Sequence, residues 1–365
     1  MLKVFGLGSS KKYAAKVCEY LGIECSSHVE NCFDDGETYI KSTENVRDAD
    51  VYVISSLHSD SKSLDKSQTV SEKLINLLWF IGSLKDASAK RITVVTPYLG
   101  FARQDRKTES RAPITTKYMA QVLEAVGANR VLTTDVHSLA AFQNSFRIPV
   151  DNLDATRLFV DHLTGVPSFP AAVKDWYHLR NKDVLDLDLA IVSPDNGGLN
   201  RCGLFQKALA NRIGEIKQTA PQEIPLAIFD KRRVNGKVEG SRIIGDVKGK
   251  QCIILDDLIA SGSTIIRAAE AVDKAGGEVY AVCATHGQFT DSRAIIKMMG
   301  HQIGSAWIDT SDAHKALVKN LIVTDSINQT DNFYGSLTLI DTARFIGEAI
   351  KRTHAGGSIS DLLEC

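Results

Sequence analysis

The sequence lacks an excess of charge of either sign and lacks a long apolar run. Lys and Arg number 43 against 44 Asp and Glu, for a formal net charge of -1, which disfavours a general nucleic-acid surface. The most apolar stretch, LINLLWFIGSL at 74–84, is too short for a membrane span and predicts a buried helix. The stretch MLKVFGLGSSKKY has no signal-peptide core. These absences predict a cytoplasmic protein with no nucleic-acid or membrane partner.

Cysteine patterns typical of a disulfide framework or a metal site are also absent. The seven cysteines are odd in number and include no C-x-x-C pair. We therefore expect reduced thiols in a reducing compartment. The length of 365 residues, with 44% hydrophobic and 24% charged residues, is typical of a soluble globular chain with two domains.

Short apolar runs rich in β-formers alternate with helical patterns along the chain. The runs are VYVISS (51–56), RITVVTP (91–97), RVLTTDVHS (130–138), LAIVSPD (189–195), PLAIFDK (225–231), QCIILDD (251–257) and EVYAVCATH (278–286). Helices are predicted at 113–128 and 263–277, where apolar residues have helical spacing and glycine follows. This alternation predicts an α/β fold of mainly parallel sheets flanked by helices.

A weak internal repeat of strand, helix and strand predicts two similar domains, at residues 1–152 and 153–365. The stretch after about residue 340 is expected to be able to pack back on the first domain. Two segments, 163–186 and 298–318, are predicted to be added loops.

The stretch IILDDLIASGSTI at 253–265 combines two adjacent carboxylates with a run of small residues. Successive strand residues point to opposite sides, so Asp256 and Asp257 cannot do the same job. A glycine-containing turn that opens a helix presents N–H groups that cradle a phosphate. The stretch predicts a sugar-phosphate site, with the carboxylates near sugar hydroxyls or a metal that holds them. Its loop residues are Ala260, Ser261, Gly262, Ser263 and Thr264.

Other polar groups stand near predicted strand ends. Asp135 and His137, two residues apart, are expected on one side of the sheet, where they could hold a metal that bears phosphates. A structural histidine is the alternative. Lys231 and Arg233 precede an Asn-Gly turn signal, so they are expected to project the same way from a hairpin. An exposed basic hairpin is the alternative. Arg103, Arg106, Lys107 and Arg111 crowd one loop, which could also be an ordinary solvated loop.

The 253–265 stretch resembles the phosphoribosyl-pyrophosphate (PRPP) motif of phosphoribosyltransferases and ribose-phosphate pyrophosphokinases. Further segments resemble the pyrophosphokinase family, in that family's order: FDDGE, YLGFARQDRK, TDVHS, SPDNGG and DKRR. The resemblance covers nearly the whole chain. It implies two tandem phosphoribosyltransferase-type (type I) domains, of which the first handles ATP and the second ribose 5-phosphate.

The resemblance also implies an activity and roles for residues. The activity is transfer of the β,γ-diphosphoryl group of ATP to the C1 hydroxyl of ribose 5-phosphate, giving PRPP and AMP. His137 and Asp195 are implied to lie on Mg²⁺, with Asp135 in support, and Lys231 and Arg233 to cover the transferring phosphates. A homo-oligomer, such as a hexamer built from dimers, is also implied. The residues implied to bind ATP are Phe33, Asp35 and Glu37, from a neighbouring subunit, and Arg103, Gln104, Arg106 and Lys107.

The chain departs from the family pattern at the phosphate loop and beside the ATP loop. Ala260 opens the phosphate loop where the common pyrophosphokinases have Asp, although backbone N–H groups remain available, and Thr108 stands where some relatives are acidic.

Two alternative functions stay open. A phosphoribosyltransferase that consumes PRPP would share 253–265 without needing FARQDRK. A non-catalytic regulatory subunit would keep the architecture but lose catalytic groups.

Overall fold

The structure, a computed structural model, describes residues 1–60, 67–167, 182–234, 237–299, 316–329 and 337–363. Residue contacts divide the chain into two compact units. Unit 1 comprises Met1–Asp154, Asp325–Asn328 and the described residues from Asp341, and unit 2 comprises the remaining described residues. Most of the two predicted added loops lies outside the described residues.

Strands and helices alternate along the described residues. The strands are β1 (Leu2–Gly6), β2 (His28–Cys32), β3 (Thr38–Ser42), β4 (Asp50–Ile54), β5 (Arg91–Thr96), β6 (Arg130–Thr134), β7 (Val150–Leu153), β8 (Leu189–Ser193), β9 (Leu226–Val234), β10 (Lys237–Ile244), β11 (Gln251–Ile259), β12 (Glu278–Gly287), β13 (Asn320–Thr324) and β14 (Leu337–Ile340). The α-helices are α1 (Lys11–Leu21), α2 (Val70–Asp86), α3 (Thr115–Ala125), α4 (Leu139–Ser145), α5 (Thr156–Thr164), α6 (Leu199–Lys217), α7 (Ser263–Lys274), α8 (Ser292–Met299), α9 (Ala343–Ala355) and α10 (Ser360–Leu363). All seven predicted strands are present, and the predicted α/β fold with parallel sheets is confirmed.

Unit 1 is built on a parallel sheet of order β1-β4-β5-β6-β7. Its strands are buried because apolar side chains of α2 and α3, including Leu77 and Leu123, pack into the same core as Val53 and Val94. The antiparallel pair β2-β3 forms a separate two-stranded sheet. The buried helix predicted at 74–84 lies within α2, where Leu77, Phe80 and Leu84 are buried, whereas Trp79 on the outer face is 53% exposed.

Helix α9 packs against α1 within unit 1. The Tyr13 hydroxyl lies 2.8 Å from Oγ1 of Thr342, and the Tyr20 hydroxyl donates a 2.6 Å hydrogen bond to Glu348. Lys16 Nζ lies 3.0 Å from carboxylate oxygens of both Asp325 and Asp341. Polar contacts therefore join α1 to segments more than 300 residues away along the chain.

The expectation that all thiols are reduced is wrong for one pair, because Cys18 and Cys25 form a disulfide. Helix α1 ends at Leu21, and Gly22 adopts a left-handed conformation that turns the chain back. The Cα atoms of the two cysteines are thereby brought to 5.7 Å, which lies in the usual range for a disulfide. A spacing of seven residues carries no such signal by itself.

Unit 2 is built on a sheet of order β10-β9-β8-β11-β12-β13-β14, parallel except for the β9-β10 hairpin. Strand β11 is longer than its neighbour: β8 pairs with Gln251–Ile254 only, whereas β12 pairs with β11 as far as Ile259. The chain from Asp256 to Ile259 therefore projects past the end of β8. Helix α7 packs on this sheet through buried Ile265, Ala268 and Val272.

Candidate functional site

Two adjacent carboxylates lie on the part of β11 that projects past β8. The side chains of Asp256 and Asp257 are 15% and 7% exposed, and the Asp257 N–H donates a 2.9 Å hydrogen bond to Oδ1 of Asp256. Burial, and then the negative charge of Asp257, raise the pKa of Asp256 well above its usual range. Strand β11 continues to Ile259, so the expectation that the strand ends at these carboxylates is wrong by two residues.

Arg201 approaches both carboxylates from the first turn of α6. Its Nη1 donates a 3.1 Å hydrogen bond to Oδ1 of Asp257 and lies 3.9 Å from Oδ1 of Asp256. Sequence reasoning missed Arg201, because the residue is 56 positions from Asp257 and no local pattern marks it. The fold brings the two together because β8, which leads into α6, lies beside β11.

The loop that follows β11 turns directly into α7. Gly262 is the N-cap of α7 with a φ of +77°, a left-handed conformation that glycine adopts without a steric penalty. The Ser261 and Ser263 side chains are exposed, with a 3.2 Å hydrogen bond from the first hydroxyl to the second. No side chain of the described residues caps the start of α7. Exposed hydroxyls and helix N–H groups suit a phosphate at this position.

Asp195 lies in the turn between β8 and α6 and is exposed. Its Oδ1 accepts a 3.0 Å hydrogen bond from the Gly198 N–H, and its carbonyl oxygen accepts one of 2.6 Å from the Ser193 hydroxyl. A Cβ atom at position 198 would lie 2.8 Å from Oγ of Ser193, so glycine is needed there. Asp195 thus forms an Asx-type turn with Gly198. This turn holds an exposed carboxylate at the same sheet edge as Asp256.

In unit 1, Asp135 and His137 follow β6. The expectation that they extend the strand and share one side is wrong, because β6 ends at Thr134 and Asp135 has a φ of +39°. Asp135 is buried and His137 is exposed. The intervening Val136 N–H donates to Oδ1 of Asn152 at 2.8 Å, which fixes the loop that presents His137.

Phe33, Asp35 and Glu37 lie in the tight connection between β2 and β3, and all are exposed. The Phe33 N–H donates to the Glu37 carbonyl at 2.8 Å, and Oδ1 of Asp35 accepts a 3.0 Å bond from the Glu37 N–H. The Phe33 side chain is 55% exposed, which is unusual for a phenylalanine. The hairpin therefore presents an aromatic ring and carboxylates on its tip.

The predicted basic groups lie on a loop of unit 1 and a hairpin of unit 2. The loop after β5 carries Arg103, Gln104, Arg106 and Lys107, all exposed. Oγ1 of Thr116 donates to the Gln104 carbonyl at 3.3 Å, which ties the loop to α3. Lys231 and Arg233 lie in β9, opposite Ser241 and Val238 of β10; their side chains and the turn residues 235–236 lie outside the description.

His137 and Asp195 are the two predicted metal ligands. Among the described residues, no group of three or more His, Cys, Asp or Glu side chains is arranged to hold an ion. His137 belongs to unit 1 and Asp195 to unit 2. Both are exposed, and a carboxylate oxygen is the kind of ligand that Mg²⁺ prefers, usually together with substrate phosphates and waters. The residues fit a metal that arrives with its phosphates.

Comparison with known proteins gives first the class of domain and then the family. Residues 161–303 match the phosphoribosyl transferase domain, and residues 2–127 match the N-terminal domain of ribose phosphate pyrophosphokinase. A ribose-phosphate pyrophosphokinase of Listeria innocua is 36% identical over all of this chain and 97% of its own length. One from Oceanobacillus iheyensis is 37% identical with the same coverage.

A solved structure agrees with the sequence relatives. Phosphoribosylpyrophosphate synthetase from Mycobacterium smegmatis superposes with a TM-score of 0.77 and 27% identity, covering 98% of this chain and 99% of that chain. The chain belongs to the ribose-phosphate pyrophosphokinase family. It is a diphosphotransferase enzyme that synthesises PRPP. The alternative of a phosphoribosyltransferase that consumes PRPP is set aside.

Proposed function

We propose that unit 2 binds ribose 5-phosphate at the end of β11 and that unit 1 supplies the ATP-binding groups. The observation that carries the proposal is the convergence of Asp256, Asp257 and the start of α7 at one sheet edge. The sugar phosphate takes the N–H groups and hydroxyls of 260–264, and the sugar hydroxyls face the two carboxylates. The projection of β11 past β8 supports this assignment, because it places the carboxylates beyond the part of β11 that β8 pairs with.

ATP is bound in this proposal by the exposed groups of unit 1. Arg103, Arg106 and Lys107 offer positive charge to the phosphates, and Gln104 offers an amide. Phe33 stacks on the adenine, while Asp35 and Glu37 accept hydrogen bonds from it; these hairpin residues serve a neighbouring subunit of a homo-oligomer. The exposure of the Phe33 ring supports this role, since a large apolar side chain is otherwise buried.

Mg²⁺ is the metal that we propose for the reaction, with His137 and Asp195 as its protein ligands and Asp135 in support. When bound, it neutralises phosphate charge as the diphosphoryl group moves to the C1 hydroxyl. The residues of this chain hold the sugar hydroxyl in line and cover the phosphates with Lys231 and Arg233. No protein nucleophile is required, because positioning and charge neutralisation dominate phosphoryl-type transfer.

The cellular location proposed is the cytoplasm. In the described part of the chain, none of the helices combines the length and the apolar character needed to cross a bilayer. The substrates proposed, ATP and ribose 5-phosphate, are soluble anions that the basic loop and the phosphate loop suit.

The test mixes purified protein with ATP, Mg²⁺ and ribose 5-phosphate and follows the products by phosphorus NMR. We expect equal amounts of AMP and PRPP, with neither formed when the sugar phosphate is left out. ADP in place of AMP would contradict diphosphoryl transfer. Absence of turnover with retained ATP binding would instead favour the non-catalytic subunit.

A further inference from the structure

Arg201 lies between the turn that carries Asp195 and the part of β11 that carries Asp256 and Asp257. It lies in the first turn of α6, three residues after the glycine that closes the Asp195 turn. Its side chain is 22% exposed and reaches across to β11, where Nη1 donates to Oδ1 of Asp257 at 3.1 Å. One side chain therefore links the first turn of α6 to β11.

The site needs a cation at this position. Asp256 and Asp257 are neighbours in sequence, both are mostly buried, and the Asp257 N–H already donates to Asp256. Two buried carboxylates repel each other, and each is costly to bury without a partner. Arg201 is closer to Asp257 than to Asp256, at 3.1 Å against 3.9 Å. The guanidinium thus orients mainly the Asp257 carboxylate, whereas the backbone orients Asp256.

We propose that Arg201 is a positioning residue for ribose 5-phosphate, acting through Asp257. It fixes the Asp257 carboxylate so that an oxygen meets a ribose hydroxyl, and it links that carboxylate to the turn of Asp195. This inference rests on the proposed sugar site and adds a residue that holds the site in shape. A loss of Arg201 weakens sugar binding and leaves ATP binding unchanged.

The test compares Arg201→Gln and Arg201→Lys with a matched control, Arg212→Gln. Arg212 lies on the same helix, is 20% exposed and pairs with buried Asp161 at 3.4 Å, three turns from the site. For each purified variant, kcat and the KM of each substrate are measured by steady-state kinetics. Calorimetric titration gives the Kd for ribose 5-phosphate, and thermal unfolding gives the melting temperature. We expect Arg201→Gln to raise the KM and Kd for ribose 5-phosphate at least about 30-fold, with the KM for ATP within twofold. Arg201→Lys should recover part of the loss, and Arg212→Gln should match the wild type in both KM values.

A double variant shows whether Arg201 acts through Asp257. If it does, Arg201→Gln adds little to the KM rise caused by Asp257→Asn, because both remove one interaction. Full additivity would overturn the mechanism. Unchanged sugar affinity in Arg201→Gln, or an equal loss in Arg212→Gln, would overturn the role itself. A wild-type protein that fails to bind ribose 5-phosphate would instead overturn the proposed sugar site, and this inference with it.

Discussion

Asp256 and Asp257 are adjacent in sequence but meet different surroundings. Asp257 receives the closer contact from Arg201, whereas Asp256 accepts a backbone N–H and has its pKa raised well above the usual range by burial and by its neighbour. Alternation along a strand makes such a difference expected, since neighbouring side chains point to opposite sides. The two residues should therefore respond differently to substitution.

Replacing Asp257 with Asn should mainly weaken ribose 5-phosphate binding. The amide keeps the shape but loses the charge, and a hydrogen bond to a charged group contributes about 1.5–3 kcal/mol, or about 10- to 100-fold in affinity. Steady-state kinetics should show that rise in the KM for ribose 5-phosphate with little change for ATP. Asp246→Asn, at an exposed position of the same unit, is the control. Unchanged affinity and rate in Asp257→Asn would remove the residue from the sugar site.

Glu30 provides a pH-dependent contribution to stability in unit 1. Its carboxylate accepts hydrogen bonds of 3.0 and 3.1 Å from the Gly8 N–H and pairs with Lys11 at 3.0 Å. Burial would raise its pKa, but hydrogen bonds from His28, Lys11 and Gly8 outweigh burial and lower the pKa to about 2. Because the folded pKa lies below the unfolded value, the stabilisation is complete above about pH 4.5 and is lost as the pH falls toward 2.

The Glu30→Gln variant tests this linkage. Urea unfolding at pH 7 should show the variant less stable by about 2 kcal/mol. The difference should shrink steadily between pH 5 and pH 2, as the wild-type carboxylate takes up its proton. Glu19→Gln, an exposed position on α1, should differ little from the wild type at either pH. A difference that stays constant with pH would show that the charge of Glu30 does not contribute.

Site residues in local patterns could be predicted from sequence, whereas residues placed by tertiary contacts could not. The 256–264 stretch carries its carboxylates, glycine and hydroxyls in one run, so a sugar-phosphate site could be predicted there from the sequence. Arg201 reaches Asp257 only because β8 and β11 are neighbours in the sheet. For Asp135 and His137, the strand end decides the geometry, and β6 stops one residue before the pattern begins.

The β9-β10 hairpin is the element that carries Lys231 and Arg233. It forms the edge of the unit 2 sheet, and its register shifts between Val238 and Ser241. Lys231→Ala should cut kcat by about 100- to 1000-fold, the usual effect of losing one group that stabilises transition-state charge, with ATP binding little changed. Rapid-mix kinetics and nucleotide titration measure the two quantities. Lys250→Ala, which removes a pair with the exposed Asp188, is the control. Normal turnover in Lys231→Ala would exclude the Lys231 side chain from catalysis.

The disulfide at the end of α1 closes a short loop, so its contribution to stability should be modest. A separation of seven residues corresponds to about 2 kcal/mol of stabilisation from restricting the unfolded chain. A reducing agent should lower the melting temperature of the wild type and leave that of Cys25→Ser unchanged. Peptide mapping without reduction should recover the two cysteines linked. Free thiols at both Cys18 and Cys25 in freshly purified protein would contradict the bond.

Elements with strong apolar runs were the most predictable, and their ends the least. All seven predicted strands exist because buried parallel strands have apolar residues at nearly every position. The extra length of β11 was not visible, since its last residues pair on one side only, with β12. The exposure of Ile75 and Trp79, one turn apart on the outer face of α2, was also not predicted, because both are as apolar as their buried neighbours.

At the scale of the whole molecule, unit 1 is assembled from separate stretches of the chain. Lys16 on α1 pairs with Asp325 and Asp341, which raise its pKa to about 12 against the effect of burial. Asp325 also accepts hydrogen bonds from the Thr342 N–H and hydroxyl, at 2.8 and 2.7 Å. These contacts hold the distant segments on α1.

Lys16→Ala should therefore destabilise the protein. The buried Asp325 carboxylate, only 9% exposed, would lose its cation, and we expect a loss of about 1–2 kcal/mol once the half-exposure of Lys16 is taken into account. Differential scanning calorimetry should show a lower melting temperature, whereas Lys12→Ala, exposed on the same helix, should not. An unchanged melting temperature in Lys16→Ala would show that the ion pairs do not hold the segments.

The packing of α9 on α1 has a consequence for the order in which the protein forms. Synthesis runs from the N-terminus, so α1 leaves the ribosome long before α9, and every strand of unit 2 is made between them. Until then the face of α1 that α9 contacts in the native state lacks its partner. The five strands of the unit 1 sheet are all made by Leu153, yet unit 1 stays a partly open intermediate of the kind that chaperones bind until α9 is added. A nascent chain halted before α9 should thus be cut by protease at α1 more readily than the released full-length chain.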